Sequence, residues 1–228
     1  MSLILSIETA TKTCSVALHE EGILLGNREL MVEKSHSRYL APMIRDLCQA
    51  VNREMKDLSA VALSKGPGSY TGLRIGTSTA KGICYALDIP LISINTLISM
   101  CFLASPKNDK GYFLCPMLDA RRMEVYAMIT DKDLCIKKET QAIVIDDRSF
   151  RKELDQYSIL FFGEGMPKTR PVLEKYPNAF FLDNIVPMAR AIGDLALKKY
   201  RNQDFENLQA FEPFYLKDFI ATIPRKLT

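Results

Sequence analysis

A glycine-rich stretch that follows a predicted strand constrains the fold of this chain more than any other feature. It reads SKGPGSYTGLRIGTSTAKG, from Ser64 to Gly82, and it comes directly after the apolar run Ala60 to Leu63. Such a stretch can cradle a phosphate group, or it can form a helix whose surface carries little bulk. The spacing of its residues bears on which of the two applies.

The spacing does not fit either common phosphate-binding motif. A Walker-type loop needs Gly, four residues, then Gly-Lys-Ser/Thr, whereas Gly72 is followed by Leu73 and Arg74. In a dinucleotide fingerprint that begins at Gly66, the third glycine would fall on Thr71. We therefore expect no phosphate loop of these two kinds here.

A helix explains the stretch better. Ser69 is a candidate N-cap, and the helix is predicted over residues 70–87 because Pro90 prevents its continuation. One face carries small residues, namely Gly72, Gly76, Ala80 and the adjacent Thr79. Each interior glycine costs about 1 kcal/mol relative to alanine, so another element should approach this face closely. From the residues alone, that element is equally well the chain's own sheet or another subunit.

The rest of the chain predicts an α/β protein with a duplicated unit. Three apolar runs, LILSI, CSVALH and ILLGNREL, indicate an antiparallel meander, and helix, strand, helix and strand follow it. The order restarts near Gly111 with YFLCPML, MEVYAMI and LCIKKETQAIVI, and DRSFRKELDQY is predicted to be helical. We place the boundary in the polar stretch 104–111, which gives one unit over 1–106 and a second over 107–228.

The helix before the glycine-rich stretch is predicted from SHSRYLAPMIRDLCQAVN. Its apolar residues recur every three or four positions and so share one face. They are Leu40, Met43, Ile44, Leu47, Cys48 and Val51.

Composition excludes several classes of protein. The net charge of +3 does not indicate a nucleic-acid binder, and six cysteines without a CxxC pair suggest reduced, mostly buried thiols. The N-terminus lacks the features of a signal peptide, and Asp88, Pro90 and Asn95 interrupt the most apolar window. We expect a cytoplasmic protein without a membrane partner.

Candidate catalytic residues are few. His19 and His36 are the only histidines and form no His-x-x-x-His pair, so we expect no metal site. We expect His19 at a solvent-exposed strand end and His36 in a cap region. Glu8 and Asp119 end the first strand of each half, and we interpret both as turn-stabilising acids. Arg121 and Arg122 form a solvated pair on a turn or an anion contact.

Several segments together resemble one family. The segments ILSIETATKTCSVAL, HSRYLAPMI, GPGSYTGLRIGTSTAKG, IPLISINTL, DARRMEVYA and EPFYLKDF are similar to those of the TsaB (YeaZ) family, from Leu3 to about Phe219. Two positions depart from the family pattern: Glu8, where Asp is common, and Arg122-Met123, where Met-Gly is common.

The resemblance implies an actin-like (ASKHA) fold made of two RNase H-like halves, with two mixed sheets flanked by helices. It implies a non-catalytic subunit that supports TsaD, the catalytic paralogue, in transferring a threonylcarbamoyl group to N6 of the adenosine beside the anticodon in tRNAs reading A-starting codons. The ATPase TsaE would join the complex, which uses ATP and Mg²⁺, whereas this chain would have no cofactor of its own. Alone it would form a homodimer, and it would contact tRNA only through the complex.

The resemblance also implies a partner interface on the glycine-rich helix and the helix before it. Its expected residues are Leu40, Met43, Ile44, Leu47, Gly72, Leu73, Gly76, Thr79 and Ala80. On this hypothesis Gly76→Leu would abolish partner binding while the monomer stays folded. The residues of a possible vestigial nucleotide loop are Glu8, Thr9, Thr11 and Asp119.

Other functions remain open at this point. The main alternative is a free-standing actin-fold kinase or ATPase that binds nucleotide with Glu8 and the loop FFGEG. A metallopeptidase and a direct tRNA-binding module are further alternatives, which the histidine count and the net charge argue against.

Overall fold

The computed structural model describes residues 1–31 and 36–217, which form two five-stranded sheets with helices packed on them. The strands of the first sheet are β1 (Leu3–Glu8), β2 (Thr13–Glu20), β3 (Ile23–Met31), β4 (Ala60–Gly66) and β5 (Leu91–Asn95). Those of the second are β6 (Phe113–Asp119), β7 (Glu124–Thr130), β8 (Ile136–Val144), β9 (Ile159–Phe162) and β10 (Ala179–Leu182). The six α-helices of the described residues are α1 (His36–Ala50), α2 (Tyr70–Leu87), α3 (Thr96–Ala104), α4 (Arg151–Leu154), α5 (Met166–Leu173) and α6 (Ala189–Arg201).

Both sheets have the same topology. The first runs β3-β2-β1-β4-β5 and the second, read from its other end, β8-β7-β6-β9-β10. In each, the first three strands are antiparallel and the last two join in parallel. The predicted duplication is therefore confirmed, and the central strands are buried on both faces as expected of sheets covered by helices.

Two helices pack across the boundary that we placed at 104–111. The α3 residues Leu97 and Met100 pack with Leu114 and Phe162 of the second sheet. The α6 residue Ile192 instead packs beneath the first sheet, with strand residues such as Ile4, Ala60 and Ile92. The boundary separates the two sheets but not their cores, because each half contributes a helix to the other. The division into two domains stays a prediction.

Local signals located the helices well, with one exception. Ser69 caps α2, which spans residues 70–87 as predicted. The helix predicted over 147–157 is shorter, because Phe150 adopts a left-handed conformation (φ 60°) and α4 is limited to four residues. Among the described residues, no helix is long and apolar enough to cross a bilayer.

Candidate functional site

The small-residue face of α2 packs on the loop that follows β1. A Cβ atom at Gly72 or at Gly76 would lie less than 3.0 Å from Thr9, and one at Gly68 would collide with Ala10. The amide of Ser69 donates to the Ala10 carbonyl oxygen at 2.6 Å. Only glycine permits this approach, so the sequence of α2 holds the loop 9–10 in place.

This packing corrects our explanation of the glycines. The element that approaches Gly72 and Gly76 is a loop of the same chain, not another subunit. Thr9 occupies the space that a larger side chain needs, so we expect Gly76→Leu to destabilise the monomer, contrary to the hypothesis that it would affect partner binding alone.

The other expected interface residues also lie mostly inside the chain. Thr79 is half-buried, and the rest belong to the core of the first half: Leu40, Met43, Ile44, Leu47, Leu73 and Ala80. A partner interface on α1 and α2 stays a prediction, but the side chains available to it are those on the outward faces of the two helices.

Glu8 is the central ionisable residue of the site. Its side chain is fully buried, and Oε1 accepts hydrogen bonds from the Ala10 amide at 2.6 Å and from Ser64 Oγ at 2.7 Å. Oε2 is buried and has no hydrogen-bond partner among the described residues. Burial raises the pKa of Glu8 from 4.5 to about 7, although both hydrogen bonds act in the opposite direction.

The second half contributes Asp119 and Glu164 to the same region. Asp119 forms an ion pair with Lys168 and accepts a hydrogen bond from the Arg121 amide at 2.8 Å. Partial burial raises the pKa of Asp119, but the contacts with Lys168 and Arg121 and the charge of Lys12 outweigh it, and the net shift is downward. Burial and the nearby Asp119 raise the pKa of Glu164, while Lys12 lowers it.

The two expected acids therefore have different environments. Glu8 turns inward and stabilises its loop through Ala10 and Ser64, as expected for a turn-stabilising acid, whereas Asp119 is exposed and ion-paired. Thr9 and Thr11 are buried. Their role as a vestigial nucleotide loop stays a prediction. In the described part of the chain, no three His, Cys, Asp or Glu side chains could hold a metal ion together.

Sequence reasoning missed the partners of these acids. Ser64 was assigned only to a strand, and Glu164 only to a glycine loop. Lys168 was not singled out, because its pairing with Asp119 spans 49 residues and leaves no local signal.

Both histidines are buried, which corrects the expectation for His19. The ring of His19 packs against α6 so tightly that a Cβ atom at Gly193 would overlap it. Burial lowers the pKa of His19, although the nearby Asp194 raises it. His36 is the first residue of α1, as the cap-region interpretation requires. Five cysteines are buried as expected, and Cys135 is exposed.

The segment after α6 crosses the surface of α2, which the sequence did not predict. Lys81 Nζ donates to the carbonyl oxygens of Gln209 and Phe211, and the Phe214 amide donates to the Lys65 carbonyl oxygen at 2.7 Å. The Tyr215 ring then packs against that of Tyr70, at 4.8 Å between centroids. This segment covers one side of α2 and leaves its outer face exposed.

Comparisons with known proteins extend these observations. Residues 30–225 match the family model described as TsaD: tRNA N6-adenosine threonylcarbamoyltransferase. The tRNA threonylcarbamoyladenosine biosynthesis protein TsaB of Escherichia coli is 30% identical over 225 residues, covering 96% of each chain.

Solved structures show the same fold. YeaZ from Pseudomonas aeruginosa superposes with a TM-score of 0.79 at 23% identity, covering 95% of this chain and all of that one. The Acidaminococcus fermentans (R)-2-hydroxyglutaryl-CoA dehydratase component A superposes with a TM-score of 0.53 at 9% identity, covering 90% of this chain and all of that one. The two mixed sheets and these neighbours establish an actin-like (ASKHA) fold, and the full-length similarity establishes that the chain belongs to the TsaB (YeaZ) family of tRNA threonylcarbamoyladenosine biosynthesis proteins.

Proposed function

We propose that this chain is the non-catalytic subunit that supports a TsaD-type transferase in modifying tRNA. The reaction is transfer of a threonylcarbamoyl group to N6 of the adenosine beside the anticodon in tRNAs that read A-starting codons. The observation that carries the proposal is the similarity to TsaB along 96% of both chains. The chain acts in the cytoplasm, where tRNA is modified.

The geometry of Glu8 supports a non-catalytic role. A carboxylate that binds a metal or activates water needs access to a ligand, whereas Glu8 is buried and directs Oε1 at Ala10 and Ser64. Its loop is held under α2 by Thr9 and Ala10. The proposed role requires no cofactor of the chain's own, and the complex uses ATP and Mg²⁺.

The docking surface for the partner is the outward side of α1 and α2. On α1 it includes Ala41 and Arg45, and on α2 it includes Ser78 and Tyr85, all exposed. Tyr85 is 84% exposed, so its ring is available to a partner. A second copy of this chain competes for the same surface and gives a homodimer, and a TsaE-type ATPase joins the assembled complex.

An omission experiment tests this function. The threonylcarbamoyl-adenylate synthase, TsaD, TsaE, tRNA, ATP, threonine and bicarbonate are combined with and without this chain, and modified adenosine is measured by mass spectrometry. Product that requires both this chain and TsaD is the expected result. Product in the absence of this chain contradicts the proposal, and ATP hydrolysis by the pure chain would favour the kinase or ATPase alternative.

A further inference from the structure

The turn between β6 and β7 contains two adjacent arginines in an unfavourable backbone conformation. Arg121 has φ 69° and Arg122 has φ 48°, so both lie in the left-handed region. Residues other than Gly, Asn and Asp rarely adopt this backbone conformation, because their Cβ atom then crowds the backbone. Both side chains are exposed. Asn followed by Gly would adopt this conformation with less backbone strain, so folding alone does not explain the two arginines.

Two lysines from distant parts of the chain bind groups at the ends of this turn, and the charge of a third acts on acids beside it. Lys168 pairs with Asp119 and donates to the Glu124 carbonyl oxygen at 2.7 Å, and Lys217 pairs with the Glu124 carboxylate. The charge of Lys12 acts on both Asp119 and Glu164.

The arginines belong to the same cluster. Burial raises the pKa of Tyr126, and the charges of Lys217 and Arg121 act against that rise. The five cations of the cluster are Lys12, Arg121, Arg122, Lys168 and Lys217, and its acids are the exposed Asp119 and Glu164 and the half-buried Glu124. The cluster therefore has an excess of positive charge that the net charge of +3 does not reveal.

We propose that this turn, together with its three lysines, contacts the phosphodiester backbone of tRNA. We call the surface formed by these five cations the arginine turn. The inference rests on the proposed function for the identity of the nucleic acid. Guanidinium groups bind phosphate oxygens with paired hydrogen bonds, and contacts to several phosphates supply most sequence-independent affinity. Two exposed arginines at the tip of a hairpin suit an extended polyanion, which needs no enclosing pocket.

The test uses a variant in which stability and binding should change in opposite directions. Arg121→Asn/Arg122→Gly relieves the backbone and removes two charges, so the melting temperature should rise. Binding of a fluorescent tRNA transcript to the full chain should weaken on the order of fivefold at low salt. The slope of log affinity against log salt concentration should fall by about 1 to 2, the value for two lost phosphate contacts.

Two further variants control for charge and for folding. Arg151→Gln/Lys152→Gln removes an adjacent, exposed basic pair on α4 and should leave tRNA affinity unchanged. Arg121→Lys/Arg122→Lys keeps the charge and should restore most of the affinity. The proposal is overturned if wild-type chain shows no salt-sensitive tRNA binding, or if the Asn/Gly variant binds as tightly as wild type.

This binding experiment is independent of the omission experiment. A chain that is dispensable for adenosine modification but binds tRNA through the arginine turn would contradict the proposed function alone. If the chain is required for modification but binds tRNA equally well without the two arginines, the proposed function stands and the proposal that the arginine turn binds tRNA is wrong.

Discussion

The side-chain oxygen of Thr9 lies less than 3.0 Å from the position that a Cβ atom would take at Gly76. Thr9 is 2% exposed and follows β1, whereas Gly76 lies in the middle of α2. The contact joins the site loop to the helix whose outer face is the proposed docking surface. A substitution of either residue should therefore change the stability of the isolated chain.

We expect Gly76→Ala to destabilise the chain by roughly 1–3 kcal/mol, because the new methyl group overpacks a filled contact. Urea denaturation of the isolated chain measures the effect. Gly82→Ala is the matched control on the same helix, where a Cβ atom meets nothing within 4 Å, and it should stabilise by up to about 1 kcal/mol. Thr9→Ala should partly rescue Gly76→Ala, since it removes the oxygen but leaves Cβ at 3.5 Å. If Gly76→Ala stabilised the chain as much as Gly82→Ala does, the close contact between Thr9 and Gly76 would be wrong.

The same contact shows what the sequence could predict and what it could not. The bounds of α2 follow from local signals, because Ser69 caps it and Pro90 lies beyond its end. The four-residue spacing of Gly72, Gly76 and Ala80 correctly predicts a close approach. It could not identify Thr9 as the neighbour, because no periodicity links residues that are so far apart in the chain.

Burial was predictable where a helix has one apolar face, and not where two distant elements meet. The spacing of Leu40, Met43 and Leu47 identifies the buried side of α1. His19 looked like an exposed strand end, because the sequence does not show that Gly193 of α6 covers it. The repeated strand order predicted the two sheets, but the exchange of α3 and α6 between their cores required the structure.

Glu8 should make stability depend on pH in a direction opposite to that of most carboxylates. Its pKa is about 7 in the folded chain and near 4.5 when unfolded, so the folded state binds more protons between these values. The contribution of Glu8 to the free energy of unfolding is fully present below about pH 4.5, and it is lost as the pH rises through 7. The rise in pKa corresponds to roughly 3 kcal/mol, an upper bound for the cost of the ionised side chain.

Glu8→Gln removes this titration and should stabilise the chain more at pH 8 than at pH 5. Urea denaturation at several pH values, compared with wild type, isolates the contribution of Glu8 from those of other groups. Glu139→Gln, the same substitution at an exposed position on β8, is the control for the exchange of a carboxylate for an amide. A constant difference between Glu8→Gln and wild type at all pH values would show that Glu8 does not titrate in this range.

The packing of α6 on the first sheet should depend on the absence of a side chain at Gly193. Gly193→Ala places a methyl group 2.0–2.6 Å from three atoms of the imidazole ring of His19, so the ring or the helix must shift. We expect a loss on the order of 2 kcal/mol, measured by thermal or urea unfolding. His19→Ala in the same chain should recover part of it, because the ring is then gone. A cost that is independent of residue 19 would indicate that the loss arises elsewhere in α6.

Tyr85 should contribute to partner binding without contributing to folding. It lies in the last turn of α2 with 84% of its surface exposed, so Tyr85→Asp removes no internal contact and should change stability by less than about 0.5 kcal/mol. The substitution places a negative charge in the proposed docking surface. Binding of TsaD would bury this carboxylate without a partner, so the affinity should fall at least tenfold. Isothermal titration calorimetry measures the affinity.

Val144→Asp is the matched control for Tyr85→Asp. Val144 is 67% exposed at the end of β8, in the second sheet, so the variant adds the same charge at an apolar surface position outside α1 and α2. Its affinity for TsaD should equal that of wild type. Equal weakening by both variants would indicate a general effect of charge, and unchanged binding by Tyr85→Asp would place the partner surface away from the end of α2.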